Sequence, residues 1–173
     1  HLWDFGNDSS SQQSNPSHSY SFHDTFLVNL KSTSFLGCSD SSFKKVYVRP
    51  MPTSHFSIDD SNQCLNGNIF NFTNQSAIPY DALSYNWNFG DSNNTGNTHP
   101  SHQFSSFDTF TVELVATSSS NCQDTFDRKL IVHPMPDAEY FIWDTSQCFE
   151  GNAFGFTNQS TIPIGNMTYF WSF

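Results

Sequence analysis

Four cysteines, two histidines in matching contexts and a few neighbouring carboxylates are the side chains here whose types and spacing could do chemistry. Cys38, Cys64, Cys122 and Cys148 are even in number, which suits either disulfides or four buried thiols according to the redox compartment. A zinc site would need a Cys-x-x-Cys pair or neighbouring histidines, and the sequence has neither. His18 and His102 could serve as a metal ligand or a base. They recur in identical surroundings, Pro16-Ser17-His18 and Pro100-Ser101-His102, which suits a histidine bonded into the fold better. No serine, histidine and aspartate share an activating context, and no glycine-rich phosphate loop is present. Asp59, Asp60 and Asp91 could offer oxygens to calcium, although acidic side chains on so acidic a chain are ordinarily just solvated. Sequons stand at Asn7, Asn71, Asn74, Asn93, Asn158 and Asn166, and the last turn they share, at Asn74 and Asn158, suggests a structural role.

The elements that must position these groups are set by a repeat. Tyr85, Trp87 and Phe89 alternate with Asn86, Asn88 and Gly90, the period-2 signature of a half-buried strand running into a turn. Trp3-Asp4-Phe5-Gly6 and Tyr169-Phe170-Trp171-Ser172-Phe173 carry the same pattern, and Trp3, Trp87 and Trp171 are each 84 residues apart. The register holds without a gap: Asp24-Thr25-Phe26 recurs as Asp108-Thr109-Phe110, Cys38 as Cys122, Pro50-Met51-Pro52 as Pro134-Met135-Pro136, Gln63-Cys64 as Gln147-Cys148, and Phe72 to Ser76 as Phe156 to Ser160.

Composition narrows the classes. With 16 acidic and 6 basic residues the net charge is −10, which argues against nucleic acid and against anionic lipid. Nineteen phenylalanines and four tryptophans exclude a disordered acidic tail. No apolar run approaches the ~20 residues of a membrane span. Since the aromatic strand motif stands at both ends, the chain reads as a slice of a longer repetitive polypeptide. Its parts are the second half of one domain at 1–50, a complete domain at 51–134 and the first half of another at 135–173.

In order, a short strand is expected at His18–Tyr20, another over Phe26–Leu30, a hairpin turn at Gly37-Cys38 and a last strand at Val46–Val48. Pro50-Met51-Pro52 forms an extended, semi-rigid linker. The complete domain has candidate strands at Ser54–Ile58, Asn68–Thr73, Leu83–Phe89, Ser101–Phe104, Thr109–Ala116 and Phe126–Val132. Phe70, Phe72, Tyr85, Trp87, Phe89, Phe110, Val112, Leu114, Leu130 and Val132 form its expected core. No helix-period stripe is present. Short strands at this spacing, separated by glycine, asparagine and serine turns, predict an all-β, immunoglobulin-like antiparallel sandwich.

The motif residues Trp3, Phe5, Gly6 and His18, then Trp87, Phe89, Gly90, Asp91 and His102, and finally Trp171, together with the Phe-x-Val-x-Leu strand after each Pro-x-His-x-aromatic, resemble the polycystic kidney disease (PKD) domain. Two departures stand out. The glycine usual after Gly-Asp is Asp8 in one copy and Ser92 in the other, and the usual Gly-x-Tyr is Asp-Thr-Phe in both. The variant with Gly-Cys in the last hairpin and Gln-Cys before the second strand looks like the repeat arrays of secreted surface proteins of Bacteroidota, including gliding adhesins. The resemblance implies tandem β-sandwiches in an extracellular, cell-surface setting, acting as spacer, adhesin or filament without catalysis or cofactor. The partners it implies are neighbouring repeats and laterally associated chains.

An extracellular chain favours disulfides. In an immunoglobulin-like sandwich Cys64, in the first loop, and Cys122, in the last hairpin, lie at opposite ends, roughly 25 Å apart over a strand of about eight residues, whereas a disulfide needs Cα atoms within about 7 Å. The expected pairing is therefore between neighbouring domains, Cys64 with the hairpin cysteine of the next. The alternative role is a carbohydrate- or protein-binding accessory module of a secreted hydrolase, for which Tyr140, Phe141 and Trp143 are the candidate ligand-facing aromatics.

Overall fold

The computed structural model describes residues 1–172; Phe173, which ends the last copy of the aromatic motif, lies outside them. Every regular element among the described residues is a strand, and pairing is antiparallel except at one sheet edge. The chain divides into two compact units. One comprises residues 1–54, 76–85 and 115–125; the other comprises 55–75, 86–114 and 126–173.

The first unit holds a four-stranded sheet in the order β2-β1-β3-β4, formed by β1 (Leu2–Asp4), β2 (Ser10–Ser11), β3 (Asp24–Thr33) and β4 (Ser39–Val48). β3 and β4 pair continuously from Asp24 with Val48 to Thr33 with Ser39. The turn between them closes when Ser34 N–H donates to the Cys38 carbonyl at 2.7 Å, with Gly37 in the left-handed region at φ 85°. Asn121, one period later, takes the same conformation at φ 62° in the equivalent turn, since asparagine tolerates it better than most side chains. No strand forms at His18–Tyr20. The alternating aromatics there are used for stacking instead: His18 lies on Phe5 at 4.1 Å and meets Tyr20 edge-on at 4.8 Å.

The central elements are β5 (Phe56–Ile58), β6 (Asn62–Cys64), β7 (Phe70–Asn74), β8 (Leu83–Asn88), β9 (Asn94–Thr95), β10 (Ser101–His102), β11 (Asp108–Ser118) and β12 (Gln123–His133). They make a three-stranded sheet, β10-β7-β5, and a five-stranded sheet, β6-β12-β11-β8-β9. In the second unit the two are joined by rings that cross between them. Phe56 meets Trp87 at 4.9 Å and Phe126 at 5.3 Å, and Phe72 meets Trp87 at 5.6 Å and Phe89 at 5.5 Å. Phe56, Phe70, Phe72, Trp87, Phe89, Phe104, Val112, Leu114, Leu130 and Val132 are all buried. Each fully buried side chain of this size stabilises by about 1.5–3 kcal/mol. Phe56 and Phe104 are core residues beyond those expected, and Tyr85 is only half-buried.

The parallel edge strand β6 is also beyond expectation. Asn62, Gln63 and Cys64 have no apolar alternation, and what places them is backbone pairing with Ile131, Val132 and His133. Last in the second unit, β13 (Tyr140–Ile142) pairs with β14 (Phe156–Asn158) in a two-stranded sheet.

Candidate functional site

Two kinds of place gather the residues singled out by sequence: the aromatic-glycine-histidine turn, and the segments around the two Pro-Met-Pro linkers. In the turn, Trp87 donates its indole N–H to the Asn97 carbonyl at 2.8 Å, which satisfies the only polar atom of a fully buried side chain. Gly90 follows at φ 82°, and a Cβ there would lie 2.7 Å from the Thr111 carbonyl oxygen. At Gly6, φ 76°, the equivalent distance to the Leu27 oxygen is 2.8 Å. Only glycine fits, because the turn passes against the backbone of the long strand. Ser92 and Asp8 sit at φ 74° and 64°, so the left-handed geometry usually taken by glycine persists with side chains in place.

His102 lies parallel on Phe89 at 4.0 Å and edge-on to Phe104 at 4.7 Å, and its Nε2 is 2.7 Å from Asp91 Oδ2. Asp91 also accepts from the Asn93 backbone and side-chain amides at 3.1 and 3.0 Å. Burial raises its pKa, but the bonds from His102 and Asn93 outweigh that and leave it below the ordinary carboxylate value. Both carboxylate oxygens are thus engaged within the fold, and the histidine acts as a clamp for the turn. In the first copy the corresponding residues are Asn7 and His18, whose buried Oδ1 and Nε2 have no hydrogen-bond partner. Asp60 is likewise turned inward on its own loop, accepting from the Asn62 N–H at 2.9 Å. Among the described residues no group of three or more histidine, cysteine, aspartate or glutamate side chains is arranged to hold a metal.

Each linker borders a cleft, and the two clefts share several lining positions related by the repeat. In the first unit Arg49, Pro50, Tyr80, Asp81, Ser119 and Ser120 line one cleft of about 170 Å³. The Asp81 carboxylate accepts from the Ser119 hydroxyl and the Ala82 N–H, and these bonds, with the charge of Arg49, hold its pKa low. In the second unit Phe107, His133, Pro134, Ile164 and Gly165 line a cleft of about 410 Å³. His133, Pro134, Ile164 and Gly165 stand 84 residues after Arg49, Pro50, Tyr80 and Asp81.

All four cysteines carry free thiols, exposed at Cys38, Cys64 and Cys148 and half-buried at Cys122. A disulfide within this chain is therefore not supported. Cys64 is in register with His133, the last residue of β12, whereas Cys122 precedes Gln123, its first. The aromatic trio expected to face a ligand is divided. Phe141 packs edge-on to Trp143 at 5.2 Å, while Tyr140 joins Phe156 and Trp171 at 6.2 and 5.7 Å. Alternation along β13 sends neighbouring side chains to opposite faces. Asn68 was not anticipated: fully buried, it donates to the Leu65 and Phe104 carbonyls at 2.7 and 3.0 Å and accepts from the Phe104 N–H at 2.8 Å. Its signal in the sequence was the repeated Gly-Asn of Gly67-Asn68 and Gly151-Asn152.

Residues 51–132 match the family model described as PKD domain. Among solved structures, the PKD1 domain of Vibrio anguillarum Epp is 23% identical with a TM-score of 0.44, covering 49% of this chain and 96% of that one. The PKD1 domain of the Vibrio cholerae metalloprotease PrtV is 17% identical, TM-score 0.39, covering 49% and 98%. A structure of carbohydrate-binding modules from the β-sandwich superfamily is 16% identical, TM-score 0.46, covering 61% of this chain and 52% of that one.

Proposed function

Because residues 51–132 belong to the PKD domain family, we propose that the chain is a non-catalytic segment of an extracellular repeat protein, a stiff spacer in a fibre, stalk or surface adhesin. Its modules are 1–50, 51–134 and 135–173. The observation that carries this reading is the pair of linker clefts lined by residues one period apart. A proline in each cleft restricts the backbone and removes a donor, so successive modules would join at one repeated angle. Electron microscopy of the assembled native protein tests it. Straight filaments with a regular axial repeat are expected, and beads swinging on flexible tethers would overturn the spacer role.

The same relation supports cysteine staples between successive modules. Cys64 pairs in register with His133, and Ser119 and Ser120, beside Cys122 in the hairpin, share a cleft with Arg49, the repeat equivalent of His133. One period on, a hairpin cysteine would arrive at the Cys64 end of the central module. Non-reducing peptide mapping of the native protein should recover Cys64 joined to a hairpin cysteine of the following module; Cys64 recovered as a free thiol would remove the staple.

A second reading, a carbohydrate- or protein-binding module, is supported by the exposed Phe141–Trp143 pair, whose edge-on geometry suits stacking on a ring. Binding on a glycan array that disappears in Trp143→Ala would favour it.

A further inference from the structure

We propose that the cleft beside the first linker binds a neutral sugar ring, with Tyr80 as the stacking platform and Asp81 and Arg49 as the groups that grip its hydroxyls. The site is distinct from the Phe141–Trp143 pair, and it holds whether or not the chain serves as a spacer.

Tyr80 follows Pro79 in the segment before β8. Its backbone sits in the left-handed region at φ 58°, and its side chain is fully exposed. A bulky side chain is disfavoured there by contact with its own backbone, and an exposed ring gains no burial that would offset the strain. One period later the turn is less strained, because Ile164 is followed by Gly165 and the glycine takes the left-handed conformation at φ 103°. The central module has Asp81 in place of that glycine, so Tyr80 makes the turn and its ring stands at the cleft. Strained backbone of this kind collects at ligand-binding positions.

Opposite charges border the same space without meeting. Arg49 and Asp81 both line the cleft of about 170 Å³, with His23, Ser119 and Ser120. Among the described residues the one ion pair is that of His102 with Asp91, so the Arg49 guanidinium is not bonded to the Asp81 carboxylate. It lies over the Tyr47 ring instead, 5.5 Å from the centroid, a cation–π contact that holds it in place. Asp81 Oδ1 accepts from the Ser119 hydroxyl and the Ala82 N–H, whereas Oδ2 has only a long contact, 3.5 Å, from the Ser120 hydroxyl. One carboxylate oxygen and the guanidinium donors are thus available to a ligand.

A pyranose supplies the complement. Its hydroxyls donate to Asp81 Oδ2 and accept from Arg49, while its C–H face lies on the electron-rich face of the Tyr80 ring. The cleft is open, with Tyr80, Arg49 and both serines exposed. Exposed ion pairs are screened and contribute little, so a ligand held by charge gains little here, whereas a neutral polyol gives up less hydration. The net charge of −10 also disfavours a polyanion. At the next linker His133, Ile164 and Gly165 replace Arg49, Tyr80 and Asp81, so neither platform nor carboxylate recurs and the site belongs to this junction.

NMR titration of the isotope-labelled chain with the methyl glycosides of glucose, galactose and mannose tests this, with methyl glucuronide and free phenylalanine as charged comparisons. At least one neutral glycoside should saturate in the millimolar range, as a contact with one ring allows. It should shift the amides of Tyr80, Ala82 and Ser120 and show saturation transfer from the Tyr80 ring. Tyr80→Phe keeps the platform and should bind within about twofold of the wild type. Asp81→Asn and Arg49→Gln should each weaken binding about tenfold. Tyr80→Gly should abolish binding while the melting temperature rises, because glycine relaxes the turn. A melting temperature that falls in Tyr80→Gly, or binding that survives it, overturns the proposal. So does the absence of shifts with every neutral glycoside, or tighter binding of the glucuronide or of phenylalanine. Shifts confined to residues 140–143 would favour the Phe141–Trp143 reading and overturn this one.

Discussion

At Asp91 burial pushes the carboxyl pKa up, but the bonds from His102 and Asn93 prevail and leave it below its ordinary value. A folded pKa below the unfolded one means that the native state binds fewer protons in acid. The stabilisation is complete above the ordinary carboxylate pKa of about 3.9 and is lost as pH falls through the folded value. Asp91→Asn should therefore lower the melting temperature at neutral pH, and its effect should shrink in acid as pH falls through the folded value, below which the wild type is also protonated. A melting difference that stays constant across that window would show that the pair contributes packing alone. Immediately after Asp91 in the sequence stands Ser92, at φ 74°. The left-handed region costs a side chain roughly 1–2 kcal/mol, while glycine costs about 0.5–1 kcal/mol in unfolded-chain entropy. The first term is larger, so Ser92→Gly is expected to raise the melting temperature by a few degrees. A drop on calorimetry would mean that the serine side chain holds the turn.

At the scale of elements, alternation made the long strands legible. Phe110, Val112 and Leu114 recur at every second residue, a pattern that by itself places β11 and one face of the core. Single residues between loops did not announce themselves. Phe104 stands between His102 and Ser106 and Phe56 has an apolar partner, Ile58, on one side alone, so neither shows a run of alternation, and β6 carries no apolar alternation, held by backbone pairing that leaves no trace in side-chain pattern. In the site, the glycine, tryptophan and histidine positions were legible because they repeat, whereas the use of Asn68 as a bridge needed the fold. Asn68 joins the end of the β6 loop to the segment after β10, satisfying two carbonyls and one N–H in a dry setting. Asn68→Ala would leave those groups buried and unpaired at about 1–3 kcal/mol each, several in all. Asn68→Asp should be worse, since it loses the donor and sets a charge against two carbonyl oxygens. Urea unfolding that ranks the aspartate above the alanine variant would overturn this account of the bridge.

For the whole molecule, stability is concentrated in one stretch. Among the described residues only two buried hydrophobic side chains, Phe5 and Phe26, lie outside residues 56–132, and the rings within that stretch make contacts from Phe70 through Phe104 to Phe110 and from Phe56 through Trp87 and Phe72 to Phe89. A segment with its own core needs little from its flanks, and about 80 residues suffice for a small domain to fold. The excised stretch 51–134 should therefore unfold in a single calorimetric transition at nearly the temperature of the main transition of the whole chain. Loss of the transition on excision would place the missing free energy in the flanking segments, and the modules would then be interdependent, each stabilised by its neighbour as in a solenoid. That distinction bears on load. Autonomous modules unfold one at a time under tension, whereas interdependent ones resist together and fail together.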